Sequence, residues 1–296
     1  MCGRALPHQK QRDNAMTDTI ETRSRHACFG GEVGFYTHQS AETGTPMNFA
    51  IFTPPQARES KVPALIYLAG LTCTEETFMI KAGAQKRAAE LGLALICPDT
   101  SPRGAGIAGE DDDWDFGTAA GFYLDATQEP WSANYRMYSY ITAELLALLE
   151  RHYTAIDRDR LGIFGHSMGG HGALTIHLKH PGLFKTVSAF APIAAPMRCP
   201  WGNKAFSNYL GPDKETWKAY DASELVRTRG DGPPILIDQG LADGFLEQEL
   251  HPQHFETACK EAGRPLTLRR HDRYDHGYYF IASFMDDHLA HHAAAL

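Results

Sequence analysis

Residues 160–176, RLGIFGHSMGGHGALTI, constrain the fold more than any other stretch of the chain. A short apolar run meets a serine between glycines and turns at once into a helical pattern, so strand, sharp turn and helix must follow without a linker. In this GxSxG arrangement the turn lifts the serine hydroxyl clear of the backbone, and close packing leaves room only for glycine at the flanking positions. Gly165 and Gly169 meet that need around Ser167. Because the helix starts at the serine, its unpaired N–H groups and positive dipole end face any negative charge that develops on a reacting carbonyl oxygen. A glycine-rich turn with a capping serine would read the same way by pattern alone. The buried-type strand before it and the helix after it favour a nucleophile.

The rest of the chain extends this unit. Residues 26–38 and 47–53 read as two strands joined by a polar TGTP turn, an antiparallel pair. From VPALIYLAG onward, short continuous apolar runs alternate with longer helical stretches, the pattern of βα units on a parallel sheet covered by helices on both faces. Strands are expected at 63–69, 93–97, 161–165, 186–191, 234–238 and 265–270. Helices are expected at 78–91, 136–152, 168–179 and 246–262, with 278–292 closing the chain.

Two stretches break the alternation. Residues 100–134 form a connection longer than loops in compact domains usually are, and their aromatic residues argue for order. The Asp111–Asp113 run has no calcium-loop spacing and reads as a solvated turn, so no metal is expected there. The second stretch, 194–232, carries CPWG and further aromatic clusters. It is placed to roof the C-terminal strand edges, where ligands bind in open α/β sheets, with Trp201 lining the pocket.

A serine hydroxyl is a weak nucleophile at neutral pH and needs a neutral imidazole in reach, itself oriented by a carboxylate. When a chain runs serine, acid, histidine, each partner follows the C-terminal end of a strand. Asp243 comes after PPILIDQG, whereas Asp238 lies inside that strand. His276 follows LTLRRHDRY and opens the last helix, while the rival His271 lies at the strand's end. The loop AGLTCTEETF follows an earlier strand, so the Leu71 amide is the expected partner of the Met168 amide in holding an oxyanion. GLT before TEE also fits a helix cap, and the two readings are compatible. Cys73, two residues beyond Leu71, is expected to line or border the pocket. His288, His291 and His292, and the pair His251 and His254, match no zinc spacing and read as surface or interfacial residues.

With 296 residues, 43% of them hydrophobic, the chain can bury a large core as one domain, taken as 19–296. A net charge of −8 without a basic run gives no footprint for nucleic acid or an anionic membrane. Six scattered cysteines without a CxxC pair suit reduced thiols in a cytosol. The first 18 residues are polar, without an apolar targeting core, and read as a disordered tail, with Met16 as an alternative start.

Several long strings then carry a resemblance: LAGLTCTEETF, CPDTSPRG, DDDWDFGTAAGFYLDAT, PWSANYRMYSY, FGHSMGGHGAL, SAFAPI, CPWGNKAFSNYLG, ILIDQG and YDHGYYFIASFMDDHLAHHA. From about Cys28 to Leu296 the chain resembles the S-formylglutathione hydrolases, or esterase D family. The resemblance implies an α/β-hydrolase fold without metal or cofactor, in a cytoplasmic homodimer that hydrolyses S-formylglutathione and short acyl esters. The family's nucleophile, acid and base match Ser167, Asp243 and His276, and its oxyanion amides match Leu71 and Met168. After ILIDQG, the segment LADGFL departs from relatives in the small Gly244. The cation that meets the glutathionyl group is left open among Arg103, Arg198 and Lys204.

Overall fold

A computed structural model describes residues 19–296, and the tail expected at 1–18 lies outside the described residues. The chain builds one nine-stranded sheet in the order β1-β2-β3-β5-β4-β6-β7-β8-β9. Strands β4 (Val62–Leu68), β5 (Ala94–Pro98), β6 (Ile156–His166), β7 (Thr186–Phe190), β8 (Ile235–Gly240) and β9 (Leu266–His271) run parallel to one another. Their continuous apolar sequences have the physical cause expected of them. β5, β7 and β8 are buried at every residue, because side chains on both faces of a parallel sheet meet helices.

β7 shows this covering within two residues. The Ser188 hydroxyl contacts His288 and His292 of the last helix, Tyr278–Ala293. Its neighbour Ala189 faces Gly170 in the helix Met168–Lys179 on the other side.

The N-terminal antiparallel part differs from the expected strands in one respect. The run 26–38 is two strands, β1 (Ile20–Cys28) and β2 (Gly31–Gln39), which fold back at Phe29 and Gly30, both at positive φ. β2 then pairs with β3 (Pro46–Thr53), and β3 joins the parallel strands through β5. β1 is an edge strand exposed along most of its length, so IETRSRHAC carries no buried alternation to announce it.

Two expected helices are each divided. Gly83, at φ 68°, separates Glu75–Lys81 from Gln85–Leu91. His251, in the left-handed region, separates the turn Leu246–Leu250 from Pro252–Ala262, whose first residue is the proline that starts the new helix. The stretch 136–152 continues helically through a wider π turn at Tyr140–Glu144.

Both long insertions are packed. Phe116, Phe122, Tyr123 and Trp131 of the first are buried. The second supplies the helix Pro200–Tyr209, whose Tyr209 ring stacks on Phe116 with centroids 4.7 Å apart. The Tyr209 hydroxyl donates to the Ala120 carbonyl and accepts from the Gly117 amide, tying the insertions together. Tyr123 donates to the Ala69 carbonyl, which holds the first insertion against the end of β4.

Candidate active site

The turn after β6 holds Ser167 at φ 58° and ψ −120°, a strained conformation for a residue with a side chain. Its neighbours fix it there. The Ser167 amide donates to the Phe190 carbonyl at 3.0 Å, and the Ser167 carbonyl accepts from the His171 and Ile193 amides. The flanking glycines are needed for space rather than for backbone freedom. A Cβ on Gly165 would come within 2.3 Å of the Gly169 carbonyl oxygen, and one on Gly169 within 1.9 Å of the Leu68 oxygen.

Met168 is the first residue of the following helix, so its amide has no acceptor within that helix. Leu71 lies in the turn beyond β4. The Cys73 amide donates there to the Gly70 carbonyl and the Thr72 amide to the Ala119 carbonyl, with Thr72 at φ 66°. Among the described residues, the Leu71 and Met168 amides donate to no protein acceptor. The helix cap is present as well: Thr74 accepts from the Glu76 amide, and Thr77 accepts from the Thr74 amide.

Asp243 follows β8 in a tight loop. Its Oδ2 lies 2.6 Å from Nδ1 of His276, its Oδ1 accepts from the Phe245 amide at 2.9 Å, and Gln239 donates to Oδ2 at 3.3 Å. An ionised carboxylate only accepts, so the histidine proton lies on Nδ1 and Nε2 is left with its lone pair. His276 and Ser167 line the same cleft of about 250 Å³.

Asp238 and His271 are engaged with each other. Asp238 accepts from Arg269 at 2.6 and 2.5 Å, from His288 at 3.3 Å and lies 3.2 Å from His271. Burial works to raise its pKa, yet the hydrogen bonds from His288, Arg269 and His271 outweigh that and hold the carboxyl well below the usual range. The C-terminal histidines depart from expectation. His288 and His292 are fully buried against Ser188 rather than on the surface, and His291 is half-buried on the Val187 carbonyl. Each imidazole has a polar partner on β7, although Nδ1 of His292 has none among the described residues.

The cleft also contains Cys73 and Trp201, as the sequence led us to expect, together with Trp114, Phe245, Thr72 and His166. Trp114 meets Trp201 edge-on at 5.6 Å, Trp201 meets Phe245 at 4.8 Å, and Phe245 stands edge-on to His276 at 5.0 Å. These rings form an apolar wall leading to the imidazole. His166 packs on His276 with ring centroids 4.4 Å apart, and burial, with a smaller effect of the His276 charge, holds His166 neutral. Burial pushes the Cys73 thiol up, so it stays protonated at neutral pH. Of the cations left open, Arg103 is held by Asp99 at 2.7 Å and Lys204 by Asp113 and Asp115 at 2.9 and 2.5 Å.

Residues 40–291 match the family described as "Putative esterase". The S-formylglutathione hydrolase of Rattus norvegicus is 55% identical over 276 residues, covering 92% of this chain and 97% of the relative. That of Paracoccus denitrificans (strain Pd 1222) is 52% identical over 95% of this chain and 100% of its own length. A solved structure of an S-formylglutathione hydrolase from Agrobacterium tumefaciens superposes with a TM-score of 0.91 at 52% identity, covering 93% of this chain and 99% of that one. A serine esterase fold, a serine at a strained elbow and identity above one half across nearly the whole length lead to one conclusion: the chain belongs to the S-formylglutathione hydrolase family of α/β-hydrolase esterases.

Proposed function

We propose that the chain hydrolyses S-formylglutathione to glutathione and formate, with Ser167 as nucleophile, His276 as general base and acid, and Asp243 as its orienting carboxylate. The observation that carries the reading is the 2.6 Å Asp243–His276 pair, whose imidazole shares a cleft with a strained elbow serine. Ser167 Oγ attacks the thioester carbonyl carbon while Nε2 of His276 takes its proton. The oxyanion rests on the Leu71 and Met168 amides, which have no competing acceptor among the described residues. As the intermediate collapses, the C–S bond breaks and His276 returns the proton to the departing sulfur, leaving a formyl ester on Ser167. Water, deprotonated by His276, then attacks that ester. Its C–Oγ bond breaks, formate leaves and Ser167 recovers its proton.

Cys73, Trp114, Trp201 and Phe245 shape the cleft around the acyl and thiol groups in this reading. We further read residues 19–296 as one domain acting in a cytoplasmic homodimer. The single continuous sheet supports the one domain, and five free cysteines among the described residues suit the cytoplasm, while the homodimer rests on the family resemblance alone. Among those residues no helix is long and apolar enough to cross a membrane.

A general short-chain carboxylesterase would use the same three side chains, because these choose the chemistry and the pocket chooses the substrate. Comparing kcat/KM for S-formylglutathione with that for a short-chain aryl ester separates the two. The thioester is expected to be preferred by at least about tenfold, the order of discrimination that pocket contacts readily supply. Equal or reversed values would assign the protein to general ester hydrolysis.

A further inference from the structure

At the end of the sheet opposite the catalytic cleft, beneath the N-terminal ends of β7, β8 and β9, the chain buries a guanidinium that pairs with no carboxylate among the described residues. Arg264, two residues before β9, is 5% exposed. Its Nη1 donates to the Asp231 carbonyl oxygen, its Nη2 donates to Nε2 of His177 at 2.9 Å, and its Nε has no partner. A guanidinium only donates, so Nε2 of His177 must accept and its ring must be neutral. Burial, followed by the Arg264 charge, holds His177 down to about 4. The pair therefore keeps a full positive charge away from water, an arrangement that is costly unless a counter-charge enters.

Room for one exists. A cleft of about 90 Å³ is lined by His177, Arg264, Arg229, Asp231, Gly182 and Gly232. Arg229 is exposed at this cleft and adds a second positive charge. The Asp231 and Gly232 amides donate to no protein acceptor among the described residues. Asp231 is the acid of the lining; its side chain is exposed and forms no ion pair with either arginine among those residues, and its charge only partly offsets the effect of burial on Arg264. The volume admits a phosphate or a carboxylate group.

We propose that this cleft binds a small oxyanion, seated between Arg264, Arg229 and the backbone amides of residues 231–232. The site is separate from the catalytic cleft, and its occupant neutralises the buried guanidinium while joining the segments that precede β7, β8 and β9. A guanidinium and successive backbone N–H groups together suit paired acceptor oxygens better than a spherical halide.

Thermal unfolding of the full chain tests this. Chloride at fixed ionic strength is exchanged for sodium phosphate in one series and for sodium formate in another. A saturable rise of the midpoint by a few degrees is expected in at least one series, as binding to the folded state alone requires. A response to phosphate only assigns a tetrahedral oxyanion, and one to formate only a carboxylate. Arg264→Met should abolish the response. Arg229→Gln should reduce the apparent affinity at least about tenfold, as expected for a lost charge-assisted bond. Its midpoint in chloride and its kcat should stay at wild-type values, because Arg229 is exposed and remote from Ser167. If Arg264→Met does not fold, Arg229→Gln decides alone. No saturable rise in either series would overturn the proposal, as would a rise unchanged in Arg229→Gln, which reports a general salt effect on exposed surface or, in the formate series, binding of the product at the catalytic cleft.

Discussion

Two aspartates five residues apart do different work, and the difference follows from where each meets the end of β8. Asp238 is inside the strand, where its carboxylate faces Arg269, His271 and His288. Asp243 is beyond it, where the loop aims the carboxylate at His276. Asp243→Asn should lower kcat by about 10⁴ with little change in stability, since the amide would favour the wrong histidine tautomer. Asp238→Asn should instead cost about 3 kcal/mol of stability by leaving Arg269 and His288 facing a neutral group, while the folded fraction keeps a normal kcat. Thermal unfolding and active-site titration on the same samples separate the two effects; the reverse pattern would exchange the assignments.

Cys73 supplies a second test at this scale. It borders the cleft, and its raised pKa keeps it a slow nucleophile. Alkylation by a bulky thiol reagent should inhibit, whereas Cys73→Ser should stay active and become resistant. Chain order selected Asp243 and His276, which lie 2.6 Å apart, and Ser167, which lines the same cleft as His276. Trp114 and Phe245 were not legible, because they reach the cleft through loop conformations that carry no period.

At the scale of elements, the strand–elbow–helix unit was readable because its glycines are demanded by contact. Gly169→Ala should therefore unfold the elbow or destabilise the protein by more than about 3 kcal/mol, the range of severe overpacking, since a Cβ there meets backbone that cannot move aside. Gly244→Ala, where the added methyl meets nothing within 4 Å, should stay within about 0.5 kcal/mol of wild type. Unfolding midpoints and kcat/KM of the two variants check the contrast. The elements misjudged from sequence share a cause. β1 is stabilised by pairing along an exposed edge, which leaves no apolar pattern. The helix at 246–262 is divided at Pro252, a break that its sequence did contain and that the periodicity of its apolar residues masked.

For the molecule as a whole, the parallel half of the sheet followed from buried apolar runs, but the fate of the histidines did not. Five of them, His166, His171, His177, His288 and His292, are buried with pKa values lowered by burial. An unfolded chain takes up protons on these groups as pH falls through about 6.5, and the folded chain does not until lower pH. Stability is therefore fully present above that value and lost progressively toward about 4, where His171 and His177 titrate in the folded state. Asp221, raised to about 6 by burial, and Glu75 and Glu249, also raised by burial, oppose this over part of the same range but are fewer than the buried imidazoles. Below it, Asp238 continues the loss, because its lowered pKa gives stability that disappears as the unfolded carboxylate protonates first. The unfolding midpoint should fall steadily from pH 7 to pH 4; a flat or rising midpoint would mean that these imidazoles bind protons in the folded state.

Ser167, His276 and Asp243 are expected to act as a unit. Single-turnover hydrolysis of S-formylglutathione by wild type, Ser167→Ala, His276→Ala and the double variant measures that directly. Each single substitution should slow the chemical step by roughly 10⁴ or more, and the double variant should be scarcely slower than Ser167→Ala. Losses that multiply in the double variant, or a Ser167→Ala enzyme within about tenfold of wild type, would contradict the nucleophile and its base.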